Sequence, residues 1–119
     1  MPKLYHRELG LPEGLDYLEG MKFAFRVTYH AKQACANDRY GVISLPDSET
    51  IHVQDIFELE LNDNDQITKI ATRHEYKNGL DICLVFRPDR SGIATLVTAW
   101  LNKSSDKHVT LDKSKYARA

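Results

Sequence analysis

Apolar positions follow two different rhythms along this chain. Phe23, Phe25, Val27 and Tyr29 alternate with Lys22, Ala24, Arg26 and Thr28, and a period of two predicts a strand with one buried face. At His30 the rhythm breaks. The run HAKQACANDRY contains three alanines and no β-branched residue, which favours a helix over residues 31–40. Ala31, Ala34 and Cys35 form a narrow apolar stripe on it, suited to close docking on a sheet, and Gly41 is placed to end it. Residues 44–50 (SLPDSET) predict a loop. The period of two then returns, with Val53, Asp55, Phe57, Leu59 and Leu61 on one side of a second strand and Asp55 interrupting its apolar pattern.

After a turn at Asn62-Asp63-Asn64-Asp65, three strand-like runs follow one another: QITKIATRHEY, DICLVFRP and IATLVTAWL. Short turn signals join them at residues 77–80 and 89–92. Asn78-Gly79 and Gly92 supply residues that accept the positive φ of a tight hairpin. Residues 66–101 therefore predict a three-stranded antiparallel meander. Before the first strand, residues 1–21 read as an irregular arm, with Leu15 to Leu18 as one helical turn. After the last, residues 103–119 read as a polar tail with Val109, Leu111 and Tyr116 as its anchors. The whole predicts one α+β domain over residues 1–119: an antiparallel sheet ending in the meander, with one main helix packed on one face.

Composition changes this picture little. The chain has 119 residues, 42% hydrophobic and 28% charged, which is enough for a single core and ordinary for a folded domain. No apolar run approaches the roughly 20 residues needed to span a bilayer, and MPKLYHRELG lacks the apolar block of a signal peptide. Cys35 and Cys83 stand far apart, so free buried thiols and a cytoplasmic setting are the expectation. Charge is more informative. The net value is −1, yet residues 44–68 hold seven acids and no Lys or Arg, so the rest of the chain sums to +6. That asymmetry suggests an acidic edge and a basic region.

Several chemistries are absent from the sequence. His6, His30, His52, His74 and His108 show no zinc spacing, and there is no glycine-rich phosphate loop or nucleophile elbow. No metal and no cofactor is expected. Metal-independent RNA cleavage asks little of spacing: a substrate 2′-hydroxyl attacks phosphorus while the protein supplies a base, an acid and donors to the phosphate. His30, Arg73 and Thr98 are residue types suited to those roles, since His titrates near neutrality and the Arg fork binds two phosphate oxygens. Each also has an ordinary reading. His30 sits where a helix begins, Arg73 and Arg87 suit a solvent-facing strand, and Thr98 suits any strand.

The order of these features resembles the barnase–EndoU–colicin–RelE superfamily of metal-independent ribonucleases, and in particular its small BrnT-like branch. The resemblance covers residues 22–102 and rests on His30-Ala31, on Arg39 with Gly41, on Arg73, and on Val97-Thr98-Ala99. It implies a toxin-like fold whose open sheet face receives RNA, with His30, Arg73 and Thr98 catalytic. Beside what the resemblance implies, Arg87 on the meander is a candidate for binding substrate, as are His108 and Tyr116 if the tail folds over the sheet. Ala34 departs from it, standing where relatives often carry a second basic residue. The tail lies outside the core of that fold and resembles tails of small phage or prophage proteins. Two readings follow: a small phage- or mobile-element-encoded endoribonuclease acting on RNA, or a non-enzymatic protein of the same fold that docks on a host or phage protein. The acidic strand region, residues 51–61, favours the second. Neither involves a membrane.

Overall fold

The computed structural model describes residues 1–90, 92–106 and 113–117. Among them seven strands form one sheet: β1 (Lys3–His6), β2 (Lys22–Val27), β3 (Ser48–Thr50), β4 (Ile56–Leu61), β5 (Ile67–Lys77), β6 (Leu80–Arg90) and β7 (Ile93–Lys103). Among the same residues the single α-helix is α1 (Tyr29–Ala36). The strand order is β1-β4-β5-β6-β7-β2-β3, and only β2 beside β7 is parallel. This is the expected α+β class, and β5, β6 and β7 form the expected meander. Asn78 (φ 52°) and Gly79 (φ 75°) both occupy the left-handed region, the pairing that a two-residue hairpin turn requires.

The meander divides its residues cleanly between two faces. Ile70, Ile82, Leu84, Phe86, Leu96, Ala99 and Leu101 join Phe23, Ile51, Ile56 and Leu59 in the main core. Burying each of the larger of these contributes roughly 1.5–3 kcal/mol. Helix α1 covers part of that core face through Ala31 and Cys35, both buried, while Ala34 is half-buried. The opposite, far face carries Arg73 opposite Cys83, Ala71 opposite Val85, Cys83 opposite Trp100 and Val85 opposite Thr98. It is not bare: Phe57 and Trp100 meet edge to face with centroids 6.3 Å apart, although β4 and β7 are three places apart in the sheet. Ala71 and Cys83, both fully buried on that face, are small enough to let the rings cross. Both cysteines are free, and burial pushes the Cys83 thiol up to about 12.

Four expectations change. The helix starts at Tyr29 and stops at Ala36 rather than spanning 31–40. Thr28 caps its start, accepting from the Ala31 amide at 3.0 Å. It stops early because Asn37 donates back to the Gln33 carbonyl at 3.0 Å, while Asp38 leaves the helix to accept from the Tyr40 amide and from the Leu101 amide on the open edge of β7 at 3.1 Å. Short polar side chains compete with the helical ladder in this way. Second, residues 48–50, read as loop, pair with β2; a three-residue edge strand needs no apolar pattern. Third, the arm contains β1, which pairs with β4. Its helical turn lies at Asp16–Leu18, and Arg7 ties it down by donating to the carbonyls of Ile56 (2.6 Å) and Val53 (2.5 Å).

The fourth change concerns parity. Val53–Asp55 is a single 3₁₀ turn, and a register shift between Ile56 and Glu58 breaks the alternation of β4. Ile56 and Leu59 are consequently the fully buried residues, not one unbroken odd-numbered series. A bulge adds one residue and reverses which side follows it.

Candidate functional site

Arg26 lies opposite Thr95, and Thr95 lies opposite Arg87, so the three stand side by side across β2, β7 and β6 on the far face. Neighbouring strands are about 4.8 Å apart, which spaces the two guanidinium stems by roughly twice that with a hydroxyl between them. Together with Val27 and Thr28 they line a shallow groove of about 270 Å³. Arg87 is well exposed, with 56% of its side chain accessible. Asp89 enters the same cluster: it accepts from the Thr95 hydroxyl and sits 3.6 Å from Arg87 Nε. The Thr95 hydroxyl bond, and then Arg87 and Arg26, hold its carboxyl below the usual range.

A bulge in β7 assembles this site. The register shifts between Val85 and Phe86, so that Phe86 pairs with Leu96 while Val85 pairs with Thr98. Thr95 and Thr98, three residues apart, would face opposite ways on a regular strand. The extra residue returns both to the far face. The same bulge offers the Val97 carbonyl to the Thr28 hydroxyl at 3.3 Å, which ties the start of α1 to the rim of the groove. His30 is exposed in the first turn of that helix, two residues past Thr28.

Arg73 is also on the far face but in different company. Its Nε donates to Asp81 Oδ2 at 2.8 Å, and its Nη2 donates to the carbonyls of Lys103 and Asp106, both at 3.0 Å. Asp81 in turn accepts from the Ser104 hydroxyl at 2.7 Å. Only 15% of the Arg73 side chain is accessible. The arginine thus fastens the turn after β7 to the sheet. Arg73 and Thr98 share a face, but among the described residues no hydrogen bond or ion pair joins His30 to either.

Tyr116 lies on the far face too. Its hydroxyl donates to Glu58 Oε1 at 2.8 Å, its ring meets His6 edge-on at 5.1 Å, and the next residue, Ala117, donates its amide to the Leu4 carbonyl at 2.7 Å. Tyr116 is therefore one of the tail's anchors, as expected. His108, Val109 and Leu111 fall outside the described residues. Sequence reasoning overlooked Arg26, Thr28 and Thr95; the signal for Arg26 was its polar phase between Phe25 and Val27.

A separate charged cluster closes the core face. His74 Nε2 is 2.9 Å from Glu49 Oε1, a close ion pair rather than an aligned hydrogen bond. Since β5 and β3 are four places apart in the sheet, the contact requires the sheet to curl. The Glu49 carboxylate keeps the imidazole protonated, raising its pKa to about 9 against the opposing effect of burial. Asp55 is raised by burial, with His74 and His52 opposing, and Glu19, bonded to the Val53 amide and His52, is lowered. Among the described residues no group of His, Cys, Asp and Glu is arranged to hold a metal, and no helix is long and apolar enough to cross a membrane.

Comparison with protein-family models, curated proteins and solved structures finds no match to this chain.

Proposed function

We propose that the chain is a small endoribonuclease that acts without a metal, and that the groove between Arg26, Thr95 and Arg87 receives the scissile phosphodiester. The observation that supports this is the flanking of one hydroxyl by two guanidinium groups on adjacent strands, beside a helix start that presents an exposed histidine. In this reading the substrate 2′-oxygen forms a bond to phosphorus as the phosphorus–5′-oxygen bond breaks. His30 takes the proton of the 2′-hydroxyl and returns it to the leaving 5′-oxygen, Arg26 and Arg87 bind the non-bridging oxygens, and Thr98 donates to them, while the Thr95 hydroxyl gives its proton to Asp89. Arg73 keeps the far face in shape from behind its bonds to Asp81 and the Lys103 carbonyl.

The alternative, a non-enzymatic binding protein of the same fold, is favoured by one observation: the arginine implicated by family resemblance is bonded within the chain. The acidic segment does not strengthen it. Glu49 is paired with His74, Glu58 accepts from Tyr116, and Glu60 accepts from Thr68 at 2.8 Å, so these acids are spent internally.

The deciding experiment is RNA cleavage by pure protein with EDTA present. Products should carry a 2′,3′-cyclic phosphate and a 5′-hydroxyl, and a 2′-deoxy nucleotide at the scissile position should block the reaction. His30→Ala should slow it by about 10²–10⁴-fold, the usual contribution of a placed acid or base. Absence of cleavage across tRNA, rRNA and mRNA would transfer the assignment to the binding-protein reading.

A further inference from the structure

Strands β1 and β2 are consecutive in the chain but lie five places apart in the sheet, so the arm between them, residues 7–21, crosses the core face. Leu11, Leu15 and Leu18 press it onto the core. Arg7 fixes one end, and backbone bonds of Gly20 and Met21 with Ile51, at 2.8 and 2.7 Å, fix the other. Five strand spacings come to about 24 Å, a width that one irregular segment does not tile. A pocket of about 340 Å³ is left between the arm and strands β1, β4 and β5, walled by Tyr5, Pro12, Leu15, Leu61 and Ile67. That volume is within the roughly 300–1,000 Å³ of small-molecule sites. Tyr5, Leu15, Leu61 and Ile67 pack with the main core, so the pocket is on the face opposite the arginine groove.

Its polar groups are few and point to one kind of occupant. Tyr5 is 8% exposed, yet its hydroxyl has no hydrogen-bond partner among the described residues and is not sealed in the core. A buried phenol O–H ordinarily finds a partner, so this one is offered to whatever fills the pocket. Glu13 and Asp65 are exposed and line the same pocket, and among the described residues neither forms an ion pair. Tyr17, 64% exposed, completes the wall, and no Lys, Arg or His lines it. Two uncompensated carboxylates beside an accessible aromatic ring suit a positive charge.

We propose that this pocket binds a small aromatic amine in its ammonium form. The ring packs against Leu15, Leu61 and Ile67, and a hydroxyl on it bonds the Tyr5 hydroxyl. The ammonium group stays at the mouth, held by the Glu13 and Asp65 carboxylates and the Tyr17 ring. The site is separate from the arginine groove and does not depend on the assignment of that groove to RNA.

The test titrates the full-length, ¹⁵N-labelled protein with three probes and reads amide shifts by NMR. The probes are 4-(2-aminoethyl)phenol, 2-phenylethylamine, which lacks the hydroxyl, and 4-(2-hydroxyethyl)phenol, which lacks the charge. Shifts should centre on Leu15, Leu61 and Ile67. The uncharged probe should bind about tenfold or more weakly than the first, since each carboxylate within reach contributes about fivefold even in water. The probe without its phenol should lose roughly threefold to tenfold, the worth of one hydrogen bond. Glu13→Gln with Asp65→Asn should bring the first probe down to the level of the uncharged one and leave the uncharged one unchanged. Asn also accepts the left-handed φ of 60° at position 65, so the fold is kept. Tyr5→Phe should erase the difference between the two amines. Equal binding of the charged and uncharged probes would overturn the proposal, as would shifts centred elsewhere, or no shifts with any of the three.

Discussion

Two arginine sites on one face of the same sheet have opposite characters. Arg73 has 15% of its side chain accessible, is paired with Asp81 at 2.8 Å and also bonds two main-chain carbonyls. Arg87 has 56% of its side chain accessible and, among the described residues, one looser ion pair, to Asp89 at 3.6 Å. Residue type and strand position are alike; the partner inventory differs. A guanidinium whose donors are spent on its own chain holds structure, while one whose donors face solvent can hold a ligand.

The comparison breaks most visibly in stability. Arg73→Ala removes one of the donors to Asp81, leaving it the Ser104 hydroxyl, and takes the guanidinium from two carbonyls; it should cost about 1.5–3 kcal/mol, the range for lost hydrogen bonds to charged groups. Arg87→Ala removes an exposed group and should fall within about 0.5 kcal/mol of wild type. Urea denaturation of both variants measures this, and equal losses would erase the distinction.

A smaller effect separates the core-face cluster from both. His74 is raised from 6.5 to about 9, so the folded state binds its proton more tightly than the unfolded chain does. Its stabilisation is complete below about 6.5 and is lost as the pH rises through about 9. The groove variants should keep that alkaline loss, whereas His74→Gln should remove it. A melting temperature that is flat over this window in the wild-type protein would contradict the Glu49–His74 pairing.

The smallest effect is expected at Thr72, which is 2% exposed and whose hydroxyl has no hydrogen-bond partner among the described residues. Thr72→Val keeps the shape and removes an unsatisfied oxygen, so stability should be unchanged or slightly raised, within about 1 kcal/mol. A clear loss would reveal a bond at that hydroxyl.

How much of this was legible in the chain depended on how local the cause was. The meander followed from alternation and from Asn78-Gly79, because a hairpin turn and a two-residue period are properties of neighbouring residues. The helix was legible by composition, but its end was not: Asp38 leaves it to reach Leu101, 63 positions away. Strand β3 carried no pattern because an edge strand of three residues is held by backbone pairing alone. Strand β4 was found, yet its register shift at Phe57 changed which residues are buried, and periodicity does not register an inserted residue.

The candidate site divides the same way. Sequence alone determined which residues could bind phosphate or move a proton, because that is a matter of side-chain chemistry: His30, Arg73, Arg87 and Thr98 were all identifiable. Only the tertiary structure decided which of them stand together. The bulge in β7 brought Thr98 round beside Thr95, and the parallel pairing of β2 with β7 set Arg26 across from Arg87. The turn after β7 claimed Arg73. The pairing of β2 with β7 joins Arg26 to a residue far along the chain, the bulge is a shift of β7 against β6, and register is set by how the whole sheet packs, which no local run of residues encodes.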